Sequence, residues 1–183
     1  MLGPATQRSH RMSHLTNALR AAAAAAVMGS VACLGTATAN AGPIDTLSST
    51  LSKGYTSSNC SPQQVSDVQG SFNASVVAVL QCGQNPDSSG PMGGKYFLFG
   101  SSADTASSFT KLISSDTLAN CGDAKSPTTW HQGNSDSAGQ VACGTDSGQA
   151  EVLWTVDSKN VLAFVRATNG DTAALYKWWQ ANG

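Results

Sequence analysis

Apolar residues recur along the chain with two periods, one helical and one strand-like, separated by polar stretches. Ile44, Leu47 and Leu51 fall at i, i+3 and i+7, which predicts a short helix over 44–53 ended by Gly54. Residues 61–71 are polar and turn-rich. Ser75 to Gln81 is a β-branched apolar run, a buried strand with Cys82 at its end. Asn85 to Pro91 reads as a loop by composition, and Lys95 to Phe99 as a second strand. Ser101 or Ser102 can cap a helix over 103–114 that carries Ala106, Phe109, Leu112 and Ile113 on one face. A polar excursion runs from Asn120 to Gly139. Strands follow at 140–144, 150–156 and 161–167, the last two joined by a hairpin turn at Asp157-Ser158-Lys159-Asn160. Asn169-Gly170 then turns into a helix over 171–181, where Leu175, Trp178 and Trp179 can lie against a sheet. The order αββα then βββα predicts the α+β class: an antiparallel sheet with helices packed on one face.

The first forty-one residues have a different pattern. Arg8, Arg11 and Arg20, with no acid among them, precede an apolar run from Ala21 to Leu34 and the small residues Thr36 to Ala41. That order, ending in Ala39-Asn40-Ala41, predicts a signal peptide over 1–41 cleaved before Gly42, and Met12 would give it a more ordinary start. The run is too short and alanine-rich for a membrane anchor, which needs about 20 apolar residues. A lipid anchor through Cys33 is an alternative, although Ser30 stands where a large aliphatic residue is wanted. Residues 42–183 then form a single secreted α+β domain at the extracytoplasmic side of the envelope, with no transmembrane segment.

Composition sharpens this division. The whole chain is 40% hydrophobic and only 11% charged, with a net charge of −1; globular domains average roughly 25% charged. Residues 42–183 hold seven basic and eleven acidic residues, a net charge of −4, with one histidine, one arginine and one glutamate: His131, Arg166 and Glu151. Such a mildly acidic surface offers no footprint for nucleic acid.

Four cysteines remain after the leader: Cys60, Cys82, Cys121 and Cys143. An even count in an exported chain predicts two disulfides, for which three pairings are possible. Cys60 and Cys121 are 61 residues apart, as are Cys82 and Cys143, and Asn59-Cys60 recurs as Asn120-Cys121 just as Cys82-Gly83 recurs as Cys143-Gly144. Asp104-Thr105-Ala106 returns as Asp171-Thr172-Ala173, each opening a helix face with an aromatic residue, Phe109 or Tyr176. These matches suggest two degenerate ββα-type repeats. Under that reading Cys60–Cys82 and Cys121–Cys143 are the preferred bridges. Zinc is disfavoured, because no C-x-x-C pair occurs.

Gly54-Tyr55, Asn59-Cys60, Cys82-Gly83, Gly90-Pro91, Tyr96 to Phe99, Trp130-His131, Gly139 to Gly144, Trp154-Thr155 and Leu175 to Trp179 form a set with a familiar look. Over residues 54–183 the chain resembles a family of small secreted proteins of unknown function from mycobacteria and related actinobacteria. The set is also similar to the extracytoplasmic module of some actinobacterial serine/threonine protein kinases. The resemblance implies an envelope-side binding role and brings no catalytic residues. No kinase domain or nucleotide loop accompanies it here.

Catalytic readings find little support in the residues. No G-x-S-x-G elbow occurs, and a triad would have to use His131, which follows Trp130 in a polar stretch. A glycosidase pair would need Glu151 with Asp146 or Asp157. Asn134, Asp136, Asp146 and Asp157 sit in polar turns without forming a calcium loop, and no cofactor motif is present. Trp130, Trp154, Trp178 and Trp179 all fall in the second half. Adjacent helical residues point about 100° apart, so one of Trp178 and Trp179 is expected to be partly exposed. With Trp130 and His131 it would line a groove for an envelope component (a sugar, lipid or peptide) or for a protein. The expectation is therefore a secreted, non-catalytic binding or interaction module, with an exported hydrolase as the alternative.

Overall fold

Long apolar runs need cover on both faces of a sheet, and here they receive it. The computed structural model describes residues 42–183; the leader, Met12, Cys33 and the cleavage position lie outside the described residues. Eight strands form one antiparallel sheet: β1 (Cys60–Pro62), β2 (Val76–Cys82), β3 (Gly93–Phe99), β4 (Thr117–Ala119), β5 (Thr128–Trp130), β6 (Gly139–Asp146), β7 (Gln149–Val156) and β8 (Val161–Arg166). Across the sheet they run β1-β2-β3-β8-β7-β6-β4, with β5 also paired to β6 on the same outer edge as β4.

The α+β class and the antiparallel sheet are as expected from the sequence, but the helices cover two faces rather than one. Val161, Ala163 and Val165 of β8, with Ala150, Val152 and Trp154 of β7, pack under α1 (Pro43–Ser48) and α4 (Thr172–Asn182) through Leu47, Leu175, Trp178 and Trp179. Leu162, Leu153, Val79, Phe97 and Phe99 face the other way, against Val68, Phe72 and Phe109 from α2 (Ser66–Gln69), the turn after it and α3 (Ser102–Ile113). The physical reason is the absence of alternation in β3 and β8, where Tyr96 and Leu98 oppose Phe97 and Phe99, and Val161, Ala163 and Val165 oppose Leu162 and Phe164. Strands apolar at both parities leave two faces to be shielded from water.

Local chemistry explains the boundaries. The first helix stops at Ser48, well before Gly54, because three hydroxyls turn back onto its carbonyls: Ser48 donates to Ile44, Ser49 to Thr46 and Thr50 to Leu47. Ser101 caps α3 by accepting from the Asp104 N–H, 3.1 Å away. The buried face of α3 is Thr105, Ser108 and Phe109 followed by half-buried Leu112 and Ile113, so Ala106 lies outside it. The polar stretches hide β1, β5 and the single turn of α2, and β4 lies just before the second stretch; all are too brief to carry a periodic signal.

Both expected bridges are present, Cys60–Cys82 and Cys121–Cys143, each across 22 residues. The repeat persists as a local resemblance, a bridge followed by strands and a helix, but the halves differ in architecture. Two strands separate the first bridge from α3 and three separate the second from α4 if the bridged strand is counted in each, and the two helices lie on opposite faces. Closing a loop of this length constrains the unfolded chain by about 3 kcal/mol. Replacing Cys60 and Cys82 together by alanine is therefore expected to lower stability by about 3 kcal/mol in urea denaturation. An unchanged midpoint would refute that account.

Candidate functional site

Edge strand β5 and helix α4 bring aromatic residues together at one end of the sheet. Trp130 ends β5, and its indole Nε1 donates to the Thr155 carbonyl at 2.8 Å. Gly139 permits this join: it has φ +156°, and a side chain there would meet the same Thr155 carbonyl. Tyr176, Trp179 and Gln180 follow at helical spacing along one side of α4. The Trp179 ring stands 5.5 Å from Trp130, edge-on, and 5.7 Å from Tyr176, stacked, with Trp154 beneath it at 5.7 Å. Around them, Thr129, His131, Gln132 and Gln180 complete an open groove of about 430 Å³. No aspartate, glutamate, lysine or arginine side chain lines it. The buried Trp179 Nε1 behind it has no hydrogen-bond partner among the described residues.

Three of the four residues chosen from the sequence, Trp130, His131 and Trp179, thus line one concavity; Trp178 does not. The expectation that one of the adjacent tryptophans is partly exposed is overturned, since each is 5% exposed. Trp179 is covered by the sheet, and Trp178 by the loop between β2 and β3, where its Nε1 donates to Asp87 Oδ2 at 3.0 Å. Buried Asn85 holds that loop, donating to the Lys53 carbonyl and accepting from the Asp87 N–H. The Ser89 N–H and hydroxyl, together with the Trp178 indole, hold the Asp87 carboxyl below its ordinary range.

His131 is exposed, and Nδ1 lies 3.2 Å from the backbone carbonyl of Ser135. Among the described residues no serine hydroxyl or aspartate joins it, so the geometry of a triad is not assembled there. Asn134 and Asp136 stand exposed in the same loop. Asp157 accepts from the Thr155 hydroxyl at the far end of β7 from Glu151. No group of three metal-ligating side chains converges among the described residues.

Asp146 and Glu151, by contrast, do meet, on the opposite face of the sheet. Arg166 donates from one nitrogen to Asp146 Oδ2 at 2.6 Å and to Glu151 Oε1 at 2.9 Å, and its Nε adds a 3.2 Å bond to the same Glu151 oxygen. The pair faces a cavity of about 200 Å³, lined by apolar side chains from the sheet, α2 and α3 together with Lys95 and Asp116. Burial pushes the Glu151 carboxyl up to about 7 despite the opposing pull of Arg166. Asp116 is raised as well, first by burial and then by Asp146. The sequence pointed to Glu151 with Asp146 but not to Arg166 or Asp116 beside them, although a signal for Arg166 was present. Pairing Val156 with Val161 across the hairpin turn places Glu151 opposite Arg166, the only glutamate and only arginine of residues 42–183, in the middle of an apolar sheet.

These features define an α+β protein with two disulfides and an antiparallel sheet between helical layers, bearing an aromatic groove on one side and an acidic, phenylalanine-walled cavity on the other. The chain matches no protein-family model, no curated protein and no solved structure.

The raised Glu151 has a sign that stability can report. Unfolded, the carboxyl releases its proton near 4.5; folded, it holds it to about 7. Between those values the folded state binds more protons, so stability falls as pH rises through the window and levels off above it. Asp116 contributes in the same direction. Urea unfolding at pH 5 and pH 7.5 is expected to give the lower stability at pH 7.5, and Glu151→Gln to flatten the difference. Stability that rises across this window, or a slope that the substitution leaves intact, would refute the assignment.

Proposed function

We propose that this chain is a secreted, non-catalytic binding module of the cell envelope, and that its aromatic groove takes a neutral glycan. The observation that carries the reading is the composition of the groove. Trp130 and Tyr176 supply aromatic surface backed by the buried Trp179 ring, and Thr129, Gln132 and Gln180 supply uncharged donors and acceptors. A sugar presents apolar C–H faces and hydroxyl oxygens together, which fits aromatic rings flanked by amides. A lipid tail would leave the amides unpaired, and a charged headgroup would find no aspartate, glutamate, lysine or arginine side chain in the lining. Two disulfides fit an oxidising compartment, and the resemblance of residues 54–183 to small secreted actinobacterial proteins supports the envelope side.

The competing reading, an exported hydrolase, is weakened by the surroundings of its candidate residues. Arg166 occupies the interval between Asp146 and Glu151 where a glycosidic bond would have to lie. His131 meets only a backbone carbonyl among the described residues.

The test is retention of the oxidised protein on purified insoluble cell-wall glycan. Wild type is expected to be retained, and Trp130→Ala to weaken retention about tenfold, the equivalent of one lost aromatic contact of roughly 1.4 kcal/mol. Gln180→Ala, at an exposed position, is expected to weaken it a few-fold with unfolding unchanged. Failure of the wild type to bind, or equal retention of both variants, would overturn the reading.

A further inference from the structure

The cavity between the sheet and the α2/α3 layer lies across the sheet from the aromatic groove and has a different chemistry. Val68, Phe72, Phe97, Leu112, Leu153 and Phe164 wall it. Glu151 is 3% exposed and stands among them. Both of its bonds from Arg166 go to Oε1, and Oε2 takes none among the described residues. Asp116 Oδ2 is enclosed by the protein and likewise has no partner. With Asp146, three carboxylates here face two cations, Arg166 and Lys95. With Glu151 ionised, its open Oε2 leaves the cavity with an unmet demand for a donor and for one positive charge.

The surroundings decide what kind of cation answers that demand. A hard metal ion needs several converging oxygens, and no three ligating side chains converge among the described residues. An anion would meet three carboxylates and an arginine already committed to two of them. An apolar body carrying a single ammonium meets every condition at once. Its nitrogen donates to Glu151 Oε2, its charge balances the surplus carboxylate with Asp116 close by, and its hydrocarbon part packs against three phenylalanine rings. Arg166, whose guanidinium carbon lies 5.7 Å from the centroid of the Phe164 ring, already shows a cation over one of these rings.

We propose that this cavity is a binding site for a small apolar amine, an alkyl or aryl group bearing one protonated nitrogen, with Glu151 as its acceptor and Asp116 as a second negative charge beside it. The site is independent of the glycan groove, and either reading can fail without the other. The test is an NMR titration of the oxidised protein at pH 7.5 with 2-phenylethylammonium, 2-phenylethanol and 3-phenylpropionate, which share a ring and differ in charge. The amine is expected to bind at least about tenfold more tightly than the alcohol, with shifts at Phe72, Leu153 and Phe164, and the propionate not to bind. Glu151→Gln is expected to abolish the preference for amine over alcohol, and Leu112→Trp, which fills the cavity, to abolish binding of both. Should Glu151→Gln not fold, Asp116→Asn at its half-exposed position is expected to reduce the preference several-fold. Equal affinity for amine and alcohol overturns the proposal. So does a preference that survives the acid substitutions, shifts confined to residues outside the cavity, or no binding by the wild type.

Discussion

The constraint on which this molecule depends is the burial of its central strands on both faces. Each of β3, β8, β7 and β6 places apolar side chains above and below the sheet, and Trp154, Tyr96, Val152, Leu162 and Val165 are almost wholly removed from water. Once both faces are apolar, neither can be left to solvent, and the chain must supply two helical layers from a short sequence. It does so sparingly. α1 and α4 cover one face, and α2 with α3 cover the other. Incomplete cover by such short elements leaves the two concavities, one between α4 and the β5 edge, the other between α3, the short α2 turn and the sheet.

Much of this was legible in the sequence, and the failures have definite physical causes. The long strands, α3, α4 and the turn at Asp157 to Asn160 were readable because each carries a sustained period or a strong punctuation. Strands β4 and β5 were not, because three residues cannot show a period and their pairing is specified by β6 rather than by their own side chains. Helix placement failed because an unbroken apolar strand was read for its existence and not for its two faces. The groove was partly visible: Trp130 and His131 were candidates as neighbours in sequence, whereas Tyr176 and Gln180 join it only through the orientation of α4. The pair of tryptophans was misjudged for want of the Asn85-anchored loop, which gives Trp178 a second buried environment unavailable to a helix lying on a sheet alone.

The distribution of charge separates the two faces functionally. The groove is lined by two amides, two hydroxyls, an imidazole and indoles, whereas the cavity gathers three of the eleven acidic residues and the only arginine of residues 42–183. In a chain with so few charged groups this concentration is costly, since ionised groups in an apolar wall lose hydration that a single guanidinium does not fully replace. Asp146, at the end of β6 with its side chain 37% exposed, escapes much of that penalty. Glu151 has no such escape at the third residue of β7, opposite Arg166 in register.

The two disulfides belong to the same logic of a wide sheet with weak margins. β1 and β4 are the outermost strands, three residues each, and so contribute few ladder hydrogen bonds of their own. Exposed strand edges invite fraying and mispairing. Cys60 faces Cys82 directly across the β1–β2 register, fastening one edge. Cys121 follows β4 by two residues and bonds to Cys143, the residue that pairs with Ala119 at the end of β4, fastening the other. Ser126 reinforces this second join by accepting from the Cys143 N–H and donating to the Ala119 carbonyl. The shared 61-residue spacing therefore has a structural meaning even though the halves are not superposable in topology: it sets one covalent staple at each edge of a single sheet. The β6 edge also carries β5 and Trp130, so the second staple holds the strand on which one wall of the aromatic groove is built.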